Sequence, residues 1–318
     1  MIDGLLLLDK PSGWTSHDLV NKIRKIFAQK RVGHTGILDP QATGLMVILL
    51  GKGTLFSPLL TGVDKKYLAE FRFGRATDSF DGEGTATYET NPGNINLETF
   101  RRLCESYRGE ISQLIPPFSA VKVDGKRMYK ISRAGKPVAR KYKNVEIYVI
   151  DIISFDWPDV KLNILCSAGT YVRSLAHEMG EELGCGGYLK SLVRTAIGNF
   201  SLDDAVTVDK LAAEISGGDY SRIIPLAKAL PDKPKISIRP EYCRSIIEGR
   251  PFVKKYLYKT DYKGPGGCLS LLLGPENKVL AMANLNYSWG SFNHLGGNDL
   301  LGRYVRIIDE GHLRQERA

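Results

Sequence analysis

The chain has 318 residues, 43% of them hydrophobic, with 44 lysines and arginines against 35 aspartates and glutamates for a net charge of +9. That length exceeds the usual single-domain size of about 100–150 residues, so two domains with real cores are expected, and the basic excess points to a polyanionic partner. The opening MIDGLLLLDKPSG has no basic n-region and only four consecutive leucines, too little for a signal peptide or a membrane span of roughly 20 residues, so a soluble, cytoplasmic protein is expected.

In chain order, GLLLLDKPSG reads as a short strand closed by a Pro/Gly turn. Leu19, Val20, Ile23, Ile26 and Phe27 then recur at helical spacing, with Thr15 or Ser16 as the cap, and Lys22, Arg24, Lys25, Lys30 and Arg31 make a basic cluster free of acids. Residues 33–40, GHTGILDP, follow as a loop. Gly33 and Gly36 permit positive φ or close approach of another backbone, and Pro40 keeps Asp39 out of the α region. LMVILLG (45–51) has the length of a strand, and KYLAEFRFG (66–74) alternates as a half-buried strand does. The acidic, glycine-rich stretch 78–94 reads as turn and loop.

NLETFRRLCESY (96–107) reads as a helix. Residues 115–143 form a Pro-started, partly extended excursion. Within it, Lys122, Lys126, Arg127, Lys130, Arg133, Lys136, Arg140, Lys141 and Lys143 stand against Asp124 alone, a net of +8 in 22 residues. Such a run is either a solvated face or a contact for nucleic-acid phosphates; two single-sign clusters favour the phosphates. NVEIYVIDIISFDW and VKLNILCS read as strands separated by Pro158 and Asp159. From Thr170, Val172, Leu175, Ala176, Met179 and Leu183 step by three and four along an amphipathic helix that GCGG stops. LPDKPK (230–235) is the linker candidate. Beyond it, a short helix in PEYCRSIIEG and the strand-like LSLLLG, KVLAMANL and GRYVRIID make a small, mostly β unit. The irregular mixture of strands and helices is α+β.

Few motifs carry chemistry by themselves. The five cysteines, Cys104, Cys166, Cys185, Cys243 and Cys268, form no CxxC pair and fit free thiols in a reducing compartment. The five histidines make no HExxH, so no zinc site is expected. GKGT (51–54) resembles the end of a phosphate loop, but Met46 stands where its first glycine belongs and Gly53 follows Lys52, so no nucleotide cofactor is implied. Asp39-Pro40 reads either as a turn or N-cap or as a carboxylate pinned for catalysis. Arg173 sits in the first helical turn, where the macrodipole disfavours a cation by about 0.3–1 kcal/mol. It is either a surface arginine or the partner of a loop carboxylate.

Four segments together, VGHTGILDPQATGLMVILLGKGT, KKYLAEFRFGRATDSFDGEG, PPFSAVKVDGKRMYK and CSAGTYVRSLAHEMGEELGCGGYLKSLVRTAIG, resemble the motifs of the bacterial tRNA pseudouridine-55 synthases, the TruB family. The likeness runs in order from about residue 3 to 230. The tail after 235 is more distantly similar to a bacterial PUA-like RNA-binding module. The resemblance implies a pseudouridine synthase fold, a mixed and mostly antiparallel sheet flanked by helices and loops, in a catalytic domain 1–232 with an RNA-clamping insertion at about 115–143. A PUA-like domain 233–318 completes it. It also implies isomerisation of a uridine in the T-loop of tRNA without metal or cofactor, by a monomer that needs no protein partner.

Residue by residue, the resemblance makes Asp39 the catalytic aspartate, whose first step is attack at C1′ of the ribose, addition to C6 of the base, or assistance to proton removal at C2′. His34 fills the place of the flipped base, and Tyr67 stacks on the uracil. Tyr171 lines the pocket, Arg173 partners the aspartate, Leu192 is an apolar wall, and Lys10 with Pro11 braces the pocket. Lys122, Lys126, Arg127, Lys130 and Arg133 fall in the clamping insertion as RNA-backbone contacts. Ile37 occupies a slot held in the family by smaller or polar residues such as Ala or Thr, and a change of loop packing is expected there.

Overall fold

The computed structural model describes residues 1–119, 121–123, 126–133, 140–260 and 262–308. For Lys122, Val123, Lys126, Arg127, Tyr129, Lys130, Arg133, Trp289 and Asn293 it describes the backbone alone.

Two-sided burial explains the apolar runs. In the strand Gly4–Lys10 (β1), Leu6 and Leu8 enter one core while Leu5 and Leu7 enter another. Helix Ser16–Ile26 (α1) starts where Thr15 and Asp18 cap each other reciprocally, and it buries Leu19, Val20 and Ile23. Val32–His34 (β2) and Thr43–Leu50 (β3) follow. In β3, Met46, Ile48 and Leu50 face the first core, and Leu45, Val47 and Leu49 the second. With both faces covered, neither strand needs polar alternation.

After a short helix Ser57–Thr61 (α2), Lys65–Phe73 (β4) buries Tyr67, Ala69, Phe71 and Phe73 on one face. A small hairpin follows, Arg75–Thr77 (β5) with Ala86–Glu89 (β6), and its second strand falls within the stretch 78–94 read as turn and loop. Helix Leu97–Ser106 (α3) leads to Gly109–Leu114 (β7), a strand the sequence reading lacked. The basic excursion holds Lys122–Val123 (β8), Lys126–Arg127 (β9) and a helical turn Met128–Arg133 (α4). Tyr142–Asp156 (β10), Asp159–Cys166 (β11), helix Val172–Glu182 (α5) and Gly187–Ile197 (β12) complete the scaffold of the site. Phe200–Ser201 (β13), Val206–Thr207 (β14) and helix Val208–Ser216 (α6) close the first unit.

The sheet order is β14-β1-β3-β12-β4-β11-β10-β7, with β2 on β3 and β13 on β12. All pairings are antiparallel except β1 with β14 and β3 with β12. β12 lies at the centre, yet sequence periodicity missed it. Two register shifts, between Leu189 and Ser191 and between Arg194 and Ala196, break its alternation. Gly44, at φ +99°, pairs with Arg194; a side chain there would run into the Arg194 backbone, so glycine lets β12 seat beside β3.

The C-terminal unit is a second sheet. Its elements are Lys235–Ile238 (β15), helix Cys243–Ile247 (α7), Phe252–Val253 (β16), Leu257–Thr260 (β17), Leu269–Leu273 (β18), Val279–Leu285 (β19) and Leu300–Ile307 (β20), in the order β16-β20-β19-β18-β15-β17. Leu271, Leu273, Val279, Met282 and Ile308 join the core that contains Leu5, Leu7, Val47 and Leu49. The second unit therefore covers the reverse face of the first sheet.

Candidate active site

GHTGILDP divides between strand and loop. Gly33 and His34 belong to β2 and pair with Leu49 and Ile48; the loop proper runs on from Thr35. Neither Gly33 nor Gly36 takes the positive φ that glycine permits, and a Cβ at either position would meet only side-chain atoms, Thr54 Cγ2 at 3.5 Å and Arg194 Nη1 at 3.7 Å.

The loop is tied down from three sides. From the helix side, Ser16 Oγ donates to Leu38 O at 3.1 Å and accepts from Leu38 N–H at 2.9 Å. From β1, the fully buried Lys10 Nζ donates to Pro40 O at 2.9 Å, and also to Pro11 O at 2.9 Å and Trp14 O at 2.8 Å. From β12, Arg194, 1% exposed, donates to Leu45 O at 2.8 Å, Ile37 O at 3.1 Å and Gly36 O at 3.4 Å. Asp39 thus stands on a backbone whose carbonyls at Gly36, Ile37 and Pro40 are held by two buried cations. Its side chain remains 40% exposed.

Asp39 faces a cavity of about 410 Å³, within the usual size range of ligand sites. Tyr67 from β4, Leu192 from β12, and Tyr171 and Arg173 from the start of α5 share the lining with His34. Register accounts for the convergence: Tyr67 pairs with Arg194 across β4 and β12, and with Ile164 on its other side. Tyr171 is the N-cap residue of α5, held by Gln113, whose amide accepts from Tyr171 N–H at 2.8 Å and donates to Tyr171 O at 3.1 Å.

Arg173 is buried in the first turn of α5, a turn without an acidic residue of its own. Its anions come from elsewhere in the chain. Nε lies 3.4 Å from Asp39 Oδ2 and Nη1 lies 3.5 Å from Asp81 Oδ2. Nη2 donates to Phe118 O at 3.0 Å. The contact with Asp39 is an ion pair without hydrogen-bond alignment, since the buried Nε has no hydrogen-bond partner. Asp81 is itself fixed by Ser79 Oγ at 2.5 Å and by Glu83 N–H at 3.2 Å.

Burial dominates the electrostatics. It pushes the Lys10 pKa down to about 8, with Arg194 adding to the effect and Asp39 opposing it. Lys65 falls likewise to about 8, chiefly by burial and then by Arg194. Burial, then Arg194, holds His34 below the ordinary imidazole value, which suits the neutral ring whose Nδ1 accepts from Gly36 N–H at 3.2 Å. Burial raises the Tyr67 and Tyr171 phenols. Both rings are therefore neutral walls at ordinary pH.

The structure brings together Asp39, His34, Tyr67, Tyr171, Arg173 and Leu192 around one cavity and places Lys10 beneath the Asp39 loop. The side chains of Lys122, Lys126, Arg127, Lys130 and Arg133 lie outside the described residues, as does Lys136 altogether. Ile37, where a change of loop packing was expected, is 61% exposed among the residues lining the cavity, and its carbonyl accepts from Arg194. Sequence reasoning missed Arg194, Asp81 and Ser16 as parts of the site. A lone cation within LVRTAIG was the available signal for Arg194; Ser16 and Asp81 gave none beyond ordinary cap and turn chemistry. Among the described residues, no group of three or more His, Cys, Asp or Glu could hold a metal ion, and no helix is long and apolar enough to cross a membrane.

The scaffold and its cavity define a pseudouridine synthase fold. The chain is similar to the solved structure of an H/ACA ribonucleoprotein bound to a substrate RNA containing 2′-deoxyuridine, with TM-score 0.73 at 22% identity, covering 96% of this chain and 84% of that one. It is also similar to a Cbf5-Nop10-Gar1 complex, with TM-score 0.72 at 24% identity over the same shares. Residues 24–172 match the N-terminal domain of the TruB family pseudouridylate synthases, and 173–227 match the tRNA pseudouridylate synthase B C-terminal domain. Proteins named tRNA pseudouridine synthase B from Dehalococcoides mccartyi and Nitratidesulfovibrio vulgaris are each 41% identical to it, over 78% and 88% of this chain and 83% and 91% of theirs. One from Azoarcus is 38% identical over 80% of this chain and 84% of its own. The chain belongs to the TruB family of pseudouridylate synthases.

Proposed function

We propose that this protein isomerises uridine to pseudouridine at position 55 in the T-loop of tRNA, a reading supported by its membership of the TruB family and by relatives named tRNA pseudouridine synthase B. The observation that carries the reading is the Asp39–Arg173 pair at 3.4 Å in a cavity walled by Tyr67 and Tyr171. The reaction needs no redox partner. The N1–C1′ bond breaks, a C5–C1′ bond forms, the proton on C5 is lost to solvent, and N1 ends protonated.

A uridine inside a folded T-loop must leave its stack, at a cost of a few kcal/mol. Tyr67 offers the base a neutral aromatic face, worth about 1–3 kcal/mol in stacking. His34, neutral and anchored through Gly36, supports the stack the base has left. Asp39 is the single carboxylate among the described residues lining this cavity, so the chemistry at the ribose or base falls to it. Arg173 fixes that carboxylate from behind. The loop ties supplied by Lys10, Ser16 and Arg194 set its position before substrate arrives.

The protein works as a monomer on tRNA alone, without a cofactor, and in the cytoplasm. Residues 1–232 form the catalytic unit and 233–318 a PUA-like unit that adds RNA contact; the basic stretch 122–133 grips the T-arm backbone. Incubating purified protein with unmodified tRNA and mapping pseudouridine by carbodiimide derivatisation and reverse transcription tests the reading. A stop one nucleotide 3′ of position 55, without partner proteins or guide RNA, is expected. Its absence, with activity restored by partner proteins and a guide, would favour a guide-dependent synthase instead.

A further inference from the structure

The cavity is lined by four cations, Lys65, Lys143, Arg173 and Arg194, against the one carboxylate of Asp39. Three of the four are engaged inside the protein. Arg173 meets Asp39 and Asp81, and Arg194 meets three carbonyls of the Asp39 loop and β3. Lys65 is buried and donates to Thr61 O and Val63 O, both at 2.6 Å.

Lys143 is different. It is half-buried, its Nζ donates one hydrogen bond, to Gly169 O at 2.7 Å, and the ammonium sits 5.7 Å from the centre of the Tyr171 ring. Two of its three N–H groups are left for another acceptor. Burial lowers its pKa, and no neighbouring charge offsets that effect.

The placement is built. Lys143 pairs with Gln113 across β10 and β7, and Gln113 is the residue that clasps the Tyr171 backbone. One rung of the sheet thus sets the ammonium beside the tyrosine. Gly169, at φ +83°, allows the approach: a side chain at that position would collide with Lys143 Nζ. Register, ring and glycine all hold a cation at the cavity wall that lacks an anion of its own.

Building on the pseudouridine synthase reading, we propose that Lys143 is a substrate-positioning residue that binds a backbone phosphate flanking the flipped uridine. The base occupies the tyrosine-walled interior and the ribose meets Asp39, so a phosphate next to the nucleotide stays at the mouth. There a compact ammonium with two unused donors matches a phosphate oxygen as a point charge. Tyr171 serves twice, as a cavity wall and as the face over which the cation is held.

The test is a binding cycle with T-arm RNA carrying an uncharged methylphosphonate at the phosphate 5′ or 3′ of uridine 55, or at a distant control position. Wild type is compared with Lys143→Met, which keeps the stem, and with Lys143→Arg. At one flanking position, neutralisation weakens wild-type binding about 10- to 100-fold, the range for a hydrogen bond to a charged group. The same change costs Lys143→Met less than about 2-fold. Lys143→Arg recovers the sensitivity, and the salt slope of Lys143→Met is shallower by about 0.7–0.9. Equal losses in wild type and Lys143→Met at both flanking positions would overturn the assignment. Isomerisation of the unmodified arm by wild type is scored separately, so a failure of the activity reading and a failure at Lys143 are distinct results.

Discussion

Replacing Arg194 with methionine keeps much of the side-chain volume but removes every donor that ties the Asp39 loop to β12. Gly36 O, Ile37 O and Leu45 O lose partners at 3.4, 3.1 and 2.8 Å. The two shorter bonds are charge-assisted and worth about 1.5–3 kcal/mol each. Relief from burying a guanidinium with no carboxylate in its hydrogen bonds offsets part of that loss, leaving the fold about 3 kcal/mol less stable. Turnover falls further, because a shift of about 1 Å in the position of Asp39 costs on the order of 100-fold, while tRNA affinity changes little. Arg194 also contributes to lowering the pKa values of His34, Lys10 and Lys65, so the imidazole of His34 titrates at higher pH in the variant. Urea melts, single-turnover tritium release from 5-tritiated uridine, and NMR titration of the imidazole measure the three effects. Wild-type turnover per folded molecule together with an unmoved His34 titration would refute the bracing argument.

Arg173→Ala slows turnover much more than it weakens tRNA binding, because its partners are Asp39 and Asp81 inside the protein; equal losses in single-turnover rate and filter-binding affinity would instead indicate a phosphate contact. Lys10 gives a pH signature. Its pKa is about 8 in the folded protein and 10.5 when unconstrained, so between those values only the unfolded chain keeps the proton, and stability rises with pH by up to about 3 kcal/mol. Denaturant melts from pH 8 to 10 should show a smaller rise for Lys10→Met than for wild type, and parallel profiles would contradict the buried-ammonium account.

The parts of the molecule governed by local rules were legible. The Thr15 cap, the leucine strands and the stepped apolar face of α5 follow from spacing and propensity, and each stands within a few residues of its expected place. The motifs that resemble the TruB family brought Asp39, Tyr67 and Arg173 into view, although these residues come from a loop, a strand and a helix far apart in the chain. Other features depend on tertiary pairing. β12 was hidden by its two bulges. Arg194 had no sequence reading at all, since only the parallel pairing with Gly44 brings it beside the Asp39 loop. The second core was invisible because it joins Leu5 and Leu7 to residues scattered along the chain, from Phe56 and Leu60 through Ile197 and Leu230 to Leu271 and beyond. Gly33 and Gly36 misled in the other direction: of the two readings, positive φ or close approach of another backbone, neither φ is positive, and a side chain at either position would meet only side-chain atoms of the protein at ordinary contact distance.

The most direct measurement uses tRNA tritiated at C5 of uridine 55 alone, incubated in excess with wild type and with Asp39→Asn. Wild type should release tritium to solvent to completion over many turnovers without added metal, nucleotide or guide RNA. Asp39→Asn should release none while still binding the tRNA. Release by Asp39→Asn near the wild-type rate would contradict the account at its centre.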